Sequence, residues 1–312
     1  MKLKIYSGVN GKPWLSRLGT LEGVNFLLTN RIPRIFVTRL MGRLSKCQNP
    51  ALVSFMLWIW SAFTPLDLSE AAPGEYKSLR DIFTRRLRPG ARPINPEARY
   101  LISPCDGILG EFGRISHGQL FQAKGMPYAL EELLNDQRVA QEFEGGTYVT
   151  LRLTSVMYHR FHAPRDCVIE EVVHHQGDTW NVNPPALARI RSLYCRNERA
   201  VIRCADTADG RHFILVPVAA ISVAGLRIHA IPFLLNVDYR GQRRFRCAEM
   251  ISRGDELGWF EHGSTIIILV TPGWNFLPEL HRGAMLRMGE ALLERENVEE
   301  ALPLHSRVDK AR

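Results

Sequence analysis

Thr147-Tyr148-Val149-Thr150-Leu151-Arg152-Leu153 decides the fold class, because Val149, Leu151 and Leu153 recur at every second position. A period of two puts these three on one side of an extended strand, and β-branched and aromatic residues suit its pleated surface. Phe213-Ile214-Leu215-Val216 and Ser264-Thr265-Ile266-Ile267-Ile268-Leu269-Val270 are further runs of β-formers bounded by turn residues. Outward from these strands, the chain after about residue 100 reads as strand-rich. The acidic tail, with Glu290, Glu294, Glu296, Glu299 and Glu300, reads as a closing helix and a loose end.

Toward the amino end the period changes. Over 34–46, Phe36, Val37, Leu40, Met41 and Leu44 share one face at helical spacing, and Arg39, Arg43 and Lys46 lie off it. The next stretch, 51–63, is apolar, carries Trp58 and Trp60, and lies within an uncharged run from Cys47 to Leu66. Its thirteen residues fall short of the roughly 20 needed to span a bilayer, so an interfacial or buried helix is expected. A basic amphipathic helix followed by a Trp-bearing apolar one can lie among lipid headgroups, although the same pattern suits a helix packed on a core. Pro13, Pro33, Pro50 and Pro65 divide this region. The expected class is α+β: an N-terminal amphipathic helical module over 1–75 on a strand-rich core over 76–312.

Composition narrows the partners only partly. The 312 residues, 46% hydrophobic and 23% charged, are those of a globular chain and exclude a disordered one. Forty Lys and Arg against 32 Asp and Glu leave a formal charge of +8, which suits a nucleic acid or an anionic lipid surface without choosing between them. Cys47, Cys105, Cys167, Cys195, Cys204 and Cys247 contain no C-x-x-C pair and no zinc spacing, so reduced thiols and no metal are expected. The N-terminus lacks the apolar core and cleavage site of a secretory signal.

Three separated motifs can carry chemistry. Ser103-Pro104-Cys105-Asp106-Gly107 reads as a tight turn, on which Asp106 would be a fixed carboxylate able to orient a histidine. Tyr158-His159-Arg160-Phe161-His162-Ala163-Pro164 offers two imidazoles for acid–base work, and the following proline argues for a loop. Glu261-His262-Gly263-Ser264-Thr265 opens an apolar strand, and a flexible glycine exposes a carbonyl that the next hydroxyl can reach. Taken singly, these are a turn, a pair of packed histidines and a strand start. Taken together, Asp, His and Ser make an activated-nucleophile set. His174-His175 lacks a third ligand, and Asn197-Glu198-Arg199 suits either a site wall or a surface turn.

With these motifs in order, the chain resembles the phosphatidylserine decarboxylase family. The markers are Phe83-Thr84-Arg85-Arg86-Leu87-Arg88-Pro89-Gly90-Ala91-Arg92-Pro93-Ile94, Ser103-Pro104-Cys105-Asp106-Gly107, Gln122-Ala123-Lys124-Gly125-Met126-Pro127-Tyr128 and Tyr158-His159-Arg160-Phe161-His162. Asn197-Glu198-Arg199 follows, then Gly254-Asp255-Glu256-Leu257-Gly258-Trp259-Phe260-Glu261-His262-Gly263-Ser264-Thr265. The resemblance implies a self-processing enzyme in which Asp106 orients His162, His162 deprotonates Ser264, and Ser264 attacks the Gly263 carbonyl. Chains 1–263 and 264–312 result, and residue 264 becomes a pyruvoyl cofactor, which forms a Schiff base with phosphatidylserine. His159 would handle substrate and reprotonate the carbanion left by carbon dioxide.

The resemblance also implies phosphatidylethanolamine as product, and as partners an anionic phospholipid membrane and the chain's own two fragments, with no nucleic acid. Arg39, Arg43, Lys46, Trp58 and Trp60 would bind the membrane, peripherally on the cytoplasmic face of a bacterial inner membrane. A homodimer is neither required nor excluded by the sequence. Two departures stand out: His262 where the family usually has Leu, and Val218-Ala219-Ala220 where Val-Gly-Ala is common. The competing readings are an Asp-His-Ser lipid hydrolase and a non-processing, membrane-binding relic of the family.

Overall fold

The computed structural model describes residues 26, 30–63, 66–221, 225–261 and 264–296. The β-forming runs lie in one eight-stranded antiparallel sheet. Its order is β12 (Arg244–Ile251), β7 (Cys167–His175), β8 (Arg199–Asp206), β9 (His212–Val218), β14 (Ser264–Val270), β5 (Thr147–Leu153), β2 (Gly107–Arg114) and β16 (Met285–Leu286). All seven residues of β14 are buried, as an unbroken apolar run requires of a strand covered on both faces. β14 pairs along its length with β5, Ser264 opposite Leu153, and with β9, Thr265 opposite Val218.

A four-stranded sheet, β11 (Leu234–Leu235), β10 (Leu226–Ile228), β13 (Glu256–Phe260) and β6 (Arg160–His162), carries the chain into and out of the motifs. Gly258 of β13 is required by close approach: a Cβ there would lie 2.0 Å from the Arg227 carbonyl oxygen. Three strands, β1 (Tyr100–Ile102), β17 (Ala291–Arg295) and β15 (Trp274–Phe276), form another sheet, and β3 (Gln119–Gln122) pairs with β4 (Met126–Ala129).

β17 corrects the expectation of a closing helix at 290–296. Leu292 and Leu293 are fully buried, and β17 is flanked by strands on both sides, so pairing and burial override the helix preference of the glutamates. Glu299 and Glu300 lie outside the described residues. Gly107 is the other correction. Asp106-Gly107 is the entry to β2 and not a tight turn, and the missing side chain makes room for Leu151, whose Cβ would lie 3.1 Å away.

At the amino end, α1 (Arg34–Leu44) and α2 (Pro50–Phe63) precede the short α3 (Leu79–Phe83). α1 sets buried Thr38 and half-buried Arg34 against the core, while Arg39 and Arg43 are exposed. Arg34 pairs with Asp178 at 2.5 Å, Thr38 Oγ1 lies 3.2 Å from Thr179 Oγ1, and Arg39 pairs with Asp238 at 2.5 Å. Its Phe36 and Leu40 are 62% and 42% exposed, while Val37, Met41 and Leu44 of the same apolar face are half-buried. Phe55, Trp58 and Ile59 of α2 are exposed as well. α2 has 14 residues, about 21 Å at ~1.5 Å per residue against a hydrocarbon core of about 30 Å. Among the described residues no helix is long and apolar enough to cross a membrane. α3 starts at a capping box, Ser78 with Asp81, and buries Leu79, Ile82 and Phe83.

Candidate active site

Ser264 is the first residue of β14 and is fully buried, yet its Oγ has no hydrogen-bond partner among the described residues. A buried hydroxyl without a partner is costly and calls for a reason. The residues opposite it offer no donor: Leu153 on β5 and, by register, Ala219 beyond β9. Gly263 and His262 lie outside the described residues.

The histidine motif follows β5. His159 is fully buried, its carbonyl accepts from Phe260 N at 3.0 Å, and its ring lies edge-on to Phe83 at 5.7 Å. Phe260 ends β13, so this bond holds His159 against the segment leading to Ser264. Phe83 in turn packs at 4.6 Å on Trp60 of α2, which joins the exposed helices to the buried imidazole.

His162 ends β6. Its backbone N donates to Pro104 O at 2.8 Å, which brings it to the Asp106 loop. Nδ1 lies 2.8 Å from Gly254 O, and because a carbonyl only accepts, Nδ1 carries the proton. Nε2 is therefore the acceptor in the neutral ring and receives the Tyr158 hydroxyl at 3.0 Å. Burial holds the His162 pKa below its ordinary value, against the raising effects of Gly254, Glu256 and Asp106. The result is a neutral imidazole with a defined basic nitrogen. Burial also pushes the Tyr158 phenol up, so it stays a donor.

Asp106 is held by Arg92, whose Nε and Nη2 donate to its two oxygens at 2.8 and 2.5 Å, and by Met288 N at 2.9 Å. Arg92 also pairs with Glu70 at 2.9 Å. The hydrogen bond to Asp106 is the main cause of the raised Arg92 pKa. No hydrogen bond joins Asp106 to His162, or His162 to Ser264, among the described residues. Asp106 reaches His162 through the Pro104 bond and through its field, and Gly254 supplies the orienting acceptor. A cleft of about 390 Å³ opens beside this pair, walled by Arg86, Arg88, Arg92, Tyr158 and Met288.

Tyr158, Arg92 and Gly254 stand inside motifs quoted from the sequence, but no spacing rule pairs them with His162 or Asp106. Glu261 too stands in a quoted motif, but no spacing rule pairs it with Arg80 or Lys46. Its fully buried carboxylate lies 2.6 Å from Arg80 Nε and 3.5 Å from Lys46 Nζ, tying α3 and the end of α1 to the approach to Ser264. Lys46 and Arg39 thus face Glu261 and Asp238, and Arg43 lies within electrostatic reach of Asp238. Asn197-Glu198-Arg199 is buried throughout, which excludes the surface turn. All six cysteines are free thiols, Cys105, Cys167 and Cys204 being buried. Among the described residues no group of three or more His, Cys, Asp or Glu is placed to hold a metal ion.

Comparison with known proteins gives the family. The family model described as "Phosphatidylserine decarboxylase" matches residues 79–294. A phosphatidylserine decarboxylase proenzyme of Bordetella petrii is 35% identical over 272 residues, 83% of this chain and 93% of the relative. A proenzyme of the same name from Yersinia pestis is 34% identical over 291 residues, 88% of this chain and 97% of its own. With a family model matched over residues 79–294 and relatives 34–35% identical over most of their own length, the chain belongs to the phosphatidylserine decarboxylase family.

Proposed function

We propose that the protein is made as one chain, cuts itself between Gly263 and Ser264, and decarboxylates phosphatidylserine to phosphatidylethanolamine. The observation that carries this reading is the Ser264 hydroxyl, buried and unpartnered at the head of the central strand. His162 would take its proton at Nε2 once Tyr158 yields that position. The Oγ–C bond to the Gly263 carbonyl forms as the amide C–N bond breaks, and elimination from the ester releases a chain ending at Gly263. The dehydroalanine left at 264 tautomerises to an imine, takes up one water and releases ammonia to become the pyruvoyl group, which would supply the electron-withdrawing carbonyl that decarboxylation of an amino-acid head group needs. Asp106 would set the field around His162. His159 would handle the substrate, and its ring contact through Phe83 to Trp60 supports a link to the exposed helices.

The same helices support a membrane partner. Phe36, Leu40, Phe55, Trp58 and Ile59 present apolar side chains to solvent, as a segment seated in a headgroup layer does. Trp60 backs this face, and Arg43, with outer edges of Arg39 and Lys46, would meet lipid phosphates. We place the protein peripherally on the cytoplasmic face of a bacterial inner membrane, with the boundary between module and core near residue 75. A lipid hydrolase is disfavoured, because the family model and the relatives are those of decarboxylase proenzymes. An intact-mass spectrum of the denatured protein tests the reading: fragments of about 30 and 5.5 kDa are expected, the smaller one blocked at its N-terminus. Ser264→Ala should leave one uncut chain, and normal cutting in that variant would overturn the reading.

A further inference from the structure

Asn197-Glu198-Arg199 is built into the sheet end that holds Ser264. Asn197 Nδ2 donates to the carbonyls of Trp180 and Ala219, both at 2.8 Å, and the Arg199 guanidinium donates to those of Leu133 and Glu132 at 2.7 and 2.9 Å. The carboxylate between them is held by His174, whose Nε2 lies 3.0 Å from Glu198 Oε1. Both side chains are buried, and neither has a part in the self-cleavage described above.

Register relates the pair to Ser264. Arg199, Val218 and Thr265 lie opposite one another on β8, β9 and β14. One step toward the sheet end, Glu198, Ala219 and Ser264 make the next row, with Ala219 N donating to Glu198 O at 2.8 Å. Residues directly opposite in antiparallel strands point to one face, so Glu198 and Ser264 share a face across two strand spacings, about 10 Å. Only the Ala219 methyl stands between them in the row. A cavity of about 10 Å³ is lined by His174, Glu198, Ala219, Gly225, Leu226 and Leu235. It has room for one water or one ammonium head. Asp106 enters from the other flank of Ser264, beyond β5, where it leads into β2.

We propose that Glu198, held by His174, receives the ammonium group of the substrate and accepts its proton. A buried carboxylate seeks a cation, and apolar Leu226 and Leu235 keep water from competing for it. The step balances within the site. One N–H bond of the ammonium breaks and one O–H bond forms on Glu198, leaving a neutral amine that the Ala219 position separates from residue 264. The proton returns to the product by the reverse path. This inference rests on the decarboxylase reading. It divides the two tasks of the chain between the two flanks of Ser264, Asp106 and His162 for cutting, Glu198 and His174 for turnover.

The test is equilibrium dialysis of glycerophosphoserine, a soluble head group, against the uncut Ser264→Ala protein, with its N-acetyl derivative as control. The Ser264→Ala protein should bind glycerophosphoserine and reject the N-acetyl form. Adding Glu198→Gln should weaken binding at least about tenfold, the loss of a charged partner, and Glu198→Asp should fall between. With Ser264 intact, Glu198→Gln should still give two fragments, because cutting uses the opposite flank. Unchanged affinity in Glu198→Gln, or no binding to the Ser264→Ala protein, overturns the proposal. If thermal melting shows that Glu198→Gln does not fold, Glu198→Asp and His174→Gln replace it, and unchanged affinity in both has the same force. A chain with Ser264 intact that stays uncut would count against the decarboxylase reading itself, a separate result.

Discussion

The two nitrogens of His162 are committed in opposite senses, Nδ1–H to the Gly254 carbonyl and the Nε2 lone pair to the Tyr158 hydroxyl. Both bonds and the burial favour a ring that is neutral and of one tautomer. Because the folded pKa lies below the ordinary value near 6.5, the neutral base persists below that pH, and acid both charges the ring and removes the stability gained by keeping it neutral. Self-cleavage of freshly made chain should therefore be level above about pH 6.5 and fall only on the acid side. Tyr158→Phe removes a donor to the neutral form, so the midpoint should move to higher pH in gel time courses across pH. A midpoint that stays or moves lower would take Tyr158 out of this role. The sequence places Tyr158 and His162 four apart in one motif, but the third member, Gly254, comes from a distant loop and contributes only backbone.

Among the elements, period and composition were decisive where one strand carries its own pattern. Val149, Leu151 and Leu153 in β5, and the unbroken apolar run of β14, read as strands in sequence and are strands in the fold. β17 escaped such a reading because Ala291-Leu292-Leu293-Glu294-Arg295 has good helix formers and no alternation. Its conformation is imposed by β1 on one side and β15 on the other. Leu293→Ala should therefore destabilise the protein by about 2–5 kcal/mol in urea unfolding, as a buried deletion does. A loss well under 1 kcal/mol would mean the strand is not held in the core. The Glu198 row was illegible for a related reason. A register across three strands cannot be read from residues 197–199, 219 and 264 until the sheet exists.

Among the described residues, six of the eleven exposed large hydrophobics lie on α1 and α2, and two of the three cations expected to meet lipid, Arg39 and Lys46, are turned to Asp238 and Glu261. Vesicle binding should then rest on apolar insertion more than on charge. Trp58→Ala combined with Phe55→Ala should weaken sedimentation with anionic vesicles by about tenfold or more, whereas raising salt should weaken it modestly. Equal binding by the double variant would remove this face from the membrane contact. The position of Ser264 has a last consequence. If the chain cuts ahead of the first residue of β14, as proposed, the short fragment would stay threaded between β5 and β9, with its β17 still paired to β1. The seam would be covalently open but mechanically closed. Once unfolded, however, the matured protein must find its other half by diffusion, so its recovery becomes second-order in concentration while that of the uncut precursor stays first-order.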